Sequence, residues 1–175
     1  MESVATVCKA RLSIADIDRN YYQSHQITLA QQPFETVHRT MALLVAYIYN
    51  ANDRLTLGQK QSSNKQPELW ESSPQNEIKL WIDLGQPDPK RIKRACNRAK
   101  NVIIYSYNES HTDSWWHKNK DKFCRYQNLE VFSIDADELE KLNNRRMKLN
   151  CTLHDGELLI NDGENNVVIE RRQLM

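Results

Sequence analysis

Glycine is scarce. The chain has four in 175 residues, too few and too scattered for a glycine-rich loop that cradles a nucleotide's phosphates. The four cysteines, Cys8, Cys96, Cys124 and Cys151, contain no C-x-x-C pair. That spacing argues against a zinc site and a secreted disulfide scaffold, and the expectation is a reducing cytoplasm. No run of 18 apolar residues is present to span a membrane. Met1-Glu2-Ser3-Val4 lacks the basic-then-apolar pattern of a secretory signal. There is no G-x-S-x-G motif and no Cys–His pair stands out. Neither sign of charge dominates: 24 Lys and Arg face 23 Asp and Glu, a net +1. A chain so balanced does not coat nucleic acid with positive charge, and binding of that kind would have to come from local patches.

What is present reads as an α/β protein long enough to bury a core as one domain. Residues 4–14 alternate, with Cys8, Ala10, Leu12 and Ile14 on one face and Lys9, Arg11 and Ser13 on the other. That is a half-buried antiparallel strand, returned by residues 25–30 as a hairpin. Pro33 opens a helix over 34–50, its stripe made by Val37, Met41, Leu44 and Ile48 and widened by Leu43, Val45 and Tyr47. Glu35 falls in the first turn, where the helix dipole favours a carboxylate. Short strands follow at 54–59 and 68–71, separated by a wholly polar loop at 59–66. In the next strand Ile78, Leu80, Ile82 and Leu84 share one face and Lys79, Trp81 and Asp83 the other. Asp88 and Pro89 suit the cap and first turn of a basic helix from Lys90 to Lys100, buried through Ile92, Ala95, Cys96 and Ala99. The strand at 102–105 completes a βαβ unit. A helix at 112–122, a strand at 129–134, a helix at 137–142 and a meander over 150–171 finish the chain. Trp115 and Trp116 read as core anchors, and His111 and His117 lack a third ligand that would make them a metal site.

Three carboxylates on neighbouring elements, Glu35, Glu68 and Asp83, raise the question of convergence. If they meet at one end of a sheet, carboxylates plus waters suit Mg²⁺, which prefers oxygen ligands. The metal would polarise a phosphoryl oxygen and activate water, and Arg91 or Lys93 on the next helix would offset charge on the phosphate. The basic runs from Lys90 to Lys100 and through Lys118, Lys120, Lys122 and Arg125 are either nucleic-acid contacts or solvated faces.

Several stretches carry a resemblance. They are Asp16-Ile17-Asp18-Arg19-Asn20, Pro33-Phe34-Glu35-Thr36, Pro67-Glu68-Leu69-Trp70, Leu80-Trp81-Ile82-Asp83-Leu84-Gly85, Pro87-Asp88 through Cys96, and Ser114-Trp115-Trp116. In this order they resemble the YaeQ family of small bacterial proteins, whose role is poorly defined, over nearly the whole chain. The resemblance implies a PD-(D/E)XK nuclease-like core: a mixed β-sheet flanked by helices, here with antiparallel hairpins added at the N- and C-termini. It divides a single domain, 1–175, into a hairpin (1–31), the core (32–135) and a helix with meander (136–175). That superfamily places one acid on the second core strand, a second on the third, and a lysine two positions on. The matching residues here are Glu68, Asp83 and Gly85, so the lysine is missing; Glu35 matches an acid that many members place on the first helix. Gln86, turned by a bulge at Gly85, would orient water but carries no charge.

Two readings follow. In the first, Glu35, Glu68 and Asp83 hold Mg²⁺, Gln86 positions water, and Arg91 or Lys93 serves the phosphate of a nuclease substrate. In the second, the chain is a non-catalytic module that contacts nucleic acid or a protein through the Lys90–Lys100 helix and the polar loop.

Overall fold

The structure is a computed structural model that describes residues 4–58 and 66–175. The loop read at 59–66 lies, apart from Gln66, outside the described residues. In chain order the elements begin with β1 (Thr6–Asp16), β2 (Tyr21–Gln31), α1 (Val37–Asn50), β3 (Thr56–Leu57), β4 (Leu69–Ser72) and β5 (Ile78–Leu84). Next come α2 (Pro89–Arg98), β6 (Ala99–Ser106), α3 (Glu109–Phe123) and β7 (Leu129–Ser133). The last strands are β8 (Arg146–His154), β9 (Glu157–Asn161), β10 (Asn166–Glu170) and β11 (Arg172–Gln173). The helix expected at 137–142 is a short 3-10 helix, Glu138–Leu142. The chain divides into two compact units: residues up to Tyr49 with Asp135–Arg171, and Asn50–Ile134 with Arg172–Met175.

The first unit is a five-stranded mixed sheet, ordered β10-β9-β8-β1-β2. The sequence pattern suggested separate hairpins at the two termini. They share one sheet, because β1 and β8 pair in parallel from Lys9↔Arg146 to Asp16↔Leu153. Both strands alternate in phase: Ala10, Leu12 and Ile14 bury beside Met147, Leu149 and Cys151. One apolar face then continues across the junction, and that continuity fixes the register. Helix α1 is buried at every residue from Thr40 to Tyr49. It is tied to both edge strands and to the β8–β9 turn: Tyr47 Oη lies 2.8 Å from His25 Nδ1 on β2, and Tyr49 Oη lies 2.8 Å from the Gly156 carbonyl and 3.2 Å from the Ile169 carbonyl on β10. Tyr21 Oη lies 2.6 Å from the other ring nitrogen of His25. The helix begins later than the Pro33 signal implied, because Thr36 Oγ1 accepts the Arg39 N–H as a cap.

The Asp16–Asn20 stretch is a structural corner. Asp16 accepts the main-chain N–H of Arg19 at 3.0 Å, and Asp18 accepts those of Asp155 and Gly156 in the β8–β9 turn at 2.7 and 2.9 Å. These two N–H groups hold the Asp18 carboxyl below its ordinary value.

The second unit is a six-stranded mixed sheet, ordered β11-β7-β6-β5-β4-β3, with a parallel centre of β5, β6 and β7. The crossovers α2 and α3 contribute to one core with Trp81, Ile92, Ala95, Val102, Ile104, Phe123 and Val131. Trp115 and Trp116 pack against that core, as their sequence context suggested. Trp81 has no exposed surface, so the second face of β5 is covered, and its Nε1 has no hydrogen-bond partner among the described residues. Asp88 caps α2 by accepting the Arg91 N–H at 2.9 Å, with Pro89 in the first turn. Asn128 closes the other end of α2, donating to the carbonyls of Cys96 and Ala99 at 3.0 Å each.

Candidate functional site

The geometry is sharpest where β5 turns into α2. Asp83 and Trp81 share the helix-facing side of β5, and Gly85 ends the strand with φ +78, a conformation that suits a residue without Cβ. The chain then turns through Pro87 and Asp88, and Arg91 lies in the first turn of α2. Its guanidinium grips Asp83 twice: Nε donates to Oδ2 at 2.6 Å and Nη2 to Oδ1 at 2.9 Å. Nη2 also donates to the Gln66 carbonyl at 2.7 Å. The Asp83 side chain is 2% exposed, and Oδ1 accepts a further, longer contact from the Glu68 N–H at 3.3 Å. A buried carboxylate in this setting is neutralised by a planar, bidentate cation. The Arg91 and Arg98 guanidinium carbons lie 5.9 and 5.6 Å from the centre of the Trp81 ring.

Of the residues singled out from the sequence, the structure therefore brings Asp83 and Arg91 together as an ion pair. Glu68 sits half-buried just ahead of β4; its main chain donates to the Ile82 carbonyl at 3.1 Å and accepts from Gly58 at 2.8 Å. Gln86 is redirected by Gly85, but towards the junction of β6 and α3. Its Nε2 donates at 2.8 Å to both Ser106 Oγ and the Tyr107 carbonyl. Ser106 and Thr112, both fully buried, complete that network at 2.7 Å. Lys93 is exposed on the outer side of α2. Glu35 belongs to the first unit and precedes α1, so it is not in the helix's first turn; its Oε2 accepts the Gln32 N–H at 3.0 Å and its Oε1 lies 3.9 Å from Arg39.

As arranged, a guanidinium holds the position over Asp83 that a metal ion would need. Among the described residues no group of three or more His, Cys, Asp or Glu side chains is placed to hold a metal. His111 and His117 are both exposed on α3. Among these residues, too, no helix is long and apolar enough to cross a membrane.

The sequence reading missed the Asp83–Arg91 pairing, although an acid and an arginine flanking a short strand–helix corner are the available signal. It also missed the Gln86–Ser106–Thr112 network, whose trace is two small hydroxyl residues at the end of an apolar strand.

Comparison with known proteins gives consistent results. A family model described as "YaeQ protein" matches residues 1–171. "Uncharacterized protein YaeQ" of Salmonella typhi is 37% identical over 169 residues, covering 95% of this chain and 93% of that protein. Its counterpart in Escherichia coli K12 is 36% identical, with 94% and 93% covered. Among solved structures, the YaeQ protein from Xanthomonas axonopodis pv. citri superposes with a TM-score of 0.94 at 37% identity, covering 98% of this chain and 99% of that one. The YaeQ protein from Pseudomonas syringae gives 0.91 at 27% identity, with 98% and 96% covered.

Proposed function

Taking as premise that the chain belongs to the YaeQ family, we propose that it is a non-catalytic binding protein with a nuclease-like core, one that contacts an anionic partner of the nucleic-acid type through α2. The observation that carries this reading is the double hydrogen bond from Arg91 to Asp83 at 2.6 and 2.9 Å. A carboxylate so engaged serves as a structural anchor. Gly85 stands where the superfamily carries its catalytic lysine, and Gln86 is committed to Ser106 and Tyr107. Chemistry on a phosphodiester would require Asp83 and Gln86 to be released.

The same pairing orders the helix for binding. Asp83 and Asp88 fix the first turn of α2 from two sides, and Lys90 and Lys93 extend from it into solvent. Cations presented on a rigid helix lose little order on meeting a phosphate backbone. The test is binding of labelled DNA and RNA across a salt series, on the native protein and on a Lys90→Glu, Lys93→Glu variant. The expected outcome is affinity that falls with salt and drops about tenfold or more in the variant, with a shallower salt slope.

Calorimetric titration with Mg²⁺ and Mn²⁺, on the native protein and on Asp83→Asn, addresses the competing reading. No heat beyond dilution is expected. Binding that disappears in Asp83→Asn would overturn the proposal. It would favour the reading in which Glu35, Glu68 and Asp83 hold the metal, Gln86 orients water, and Arg91 or Lys93 serves the phosphate.

A further inference from the structure

The outer face of the five-stranded sheet carries a second basic surface, built from residues far apart in the chain. Side chains on β1 alternate, so Lys9 and Arg11 point away from the buried face of Ala10 and Leu12. On β8, Arg146 and Lys148 do the same. The parallel register sets Lys9 directly beside Arg146 and Arg11 beside Lys148. Adjacent strands lie about 4.8 Å apart and alternate residues about 6.6 Å apart, so the four cations form a compact rectangle. On the other side β2 contributes only neutral residues, Thr28 beside Lys9 and Gln26 beside Arg11. All four cations are exposed, and none has a carboxylate partner among the described residues. Like charges placed directly across neighbouring strands repel. A face that carries two such pairs without a counter-charge is completed by a ligand that brings one.

The surface has a shape as well as a charge. A cavity of about 400 Å³ lies over Lys9, Arg11, Gln26, Arg146 and Lys148. Further along the same strands is another of about 560 Å³, lined by Ser13, Ala15, Tyr22, Ser24, Asn150 and Thr152. This second cavity has no charged residue. Tyr22 is 54% exposed, and the residue opposite it is Ala15, whose methyl group leaves the phenol ring uncovered.

We propose that this sheet face binds single-stranded nucleic acid. The phosphates lie over Lys9, Arg11, Arg146 and Lys148, and a base stacks on Tyr22 within reach of the Asn150 amide and the Ser24 hydroxyl. Single strands are favoured over duplex because Tyr22 needs an unstacked base, and because the broad face of a five-stranded sheet does not enter a groove. The surface belongs to the first unit and α2 to the second, so the proposal stands whether or not α2 binds anything.

The test is fluorescence anisotropy with labelled single strands of about 12 nucleotides, RNA and DNA, in salt from about 50 to 200 mM. The native protein is measured first. Lys90→Glu with Lys93→Glu then removes any contribution of α2 and serves as the reference, and Arg11→Glu with Lys148→Glu, and Tyr22→Ala, are compared in that background. The expected result is at least about a tenfold loss and a shallower salt slope for the sheet charge reversal. Tyr22→Ala should lose at least about fivefold with the slope unchanged, as befits a stacking contact. Circular dichroism and melting check that each variant is folded. The proposal is overturned if neither sheet variant changes affinity, if duplex of the same length binds more tightly than single strand, or if polyglutamate competes as well as the oligonucleotide. It also fails if the native protein binds neither nucleic acid.

Discussion

The two basic regions differ in how they arise and in what folding leaves of them. The cations of α2 are consecutive in the sequence, and a helix spreads such a run around its axis at 3.6 residues per turn. Arg91 is drawn inward to Asp83 and, with Arg98, lies over the Trp81 ring. Lys90 and Lys93 face solvent. The cations of the outer sheet face are scattered in the sequence, and the alternation of β1 and β8 gathers them without pairing them to any acid among the described residues. A visible run of charge can therefore be partly structural, while the less visible group stays free for a ligand.

The largest effect is expected from removing the cation that the structure uses. Arg91→Ala leaves Asp83 buried and unpaired, and the expected cost is about 3–5 kcal/mol in urea or guanidinium unfolding. Lys93→Ala, on the same helix, is expected to stay within about 0.5 kcal/mol of native. If the two cost the same, the division between structural and free cations on α2 is wrong.

A second difference concerns carboxylates. In the sheet unit Asp18 acts on main-chain N–H groups, and its pKa is lowered mainly by the bonds from Gly156 and Asp155. A depressed carboxyl stabilises the fold above its unfolded value, near 3.9, and that contribution is lost as pH falls through the lower folded value. Asp18→Asn is expected to lower the melting temperature at neutral pH. It should also flatten the fall in stability on acidification below about pH 4, as read by melting curves across an acid series.

The smallest effect is expected on the sheet face. Lys148→Gln relieves repulsion with Arg11 and should raise stability by a few tenths of a kcal/mol. Lys93→Gln, without a cross-strand neighbour of like charge, should leave the melting temperature unchanged. A fall in stability for Lys148→Gln would mean that the sheet cations contribute to the fold after all.

Much of the fold was legible because local rules carried it. Cys8 to Ile14 alternate and form β1, Ile78 to Leu84 form β5, and Asp88 with Pro89 starts α2 as the cap chemistry requires. The partnership of β1 with β8 was not legible. Alternation says which side of a strand is buried and nothing about which strand lies beside it. Helix α1 began at a threonine cap because Glu35 and Gln32 close a turn of their own. At the candidate site the sequence supplied the residues but not their bonds. Sequence alone gives Asp83 and Arg91 separate tasks, and only the corner at Gly85 shows that one neutralises the other.

The parallel pairing of β1 with β8 also has a consequence in time. During synthesis β1 emerges early, whereas β8 follows only after residues 50–134 of the other unit. At about 5–20 residues per second the wait is on the order of ten seconds. Through that interval β1 has β2 on one side and an open edge on the other, the kind of edge that recruits a wrong strand. Lys9 and Arg11 stand along that strand while it waits. Charges that later face a ligand would first keep a nascent strand from pairing with its neighbours on the polysome.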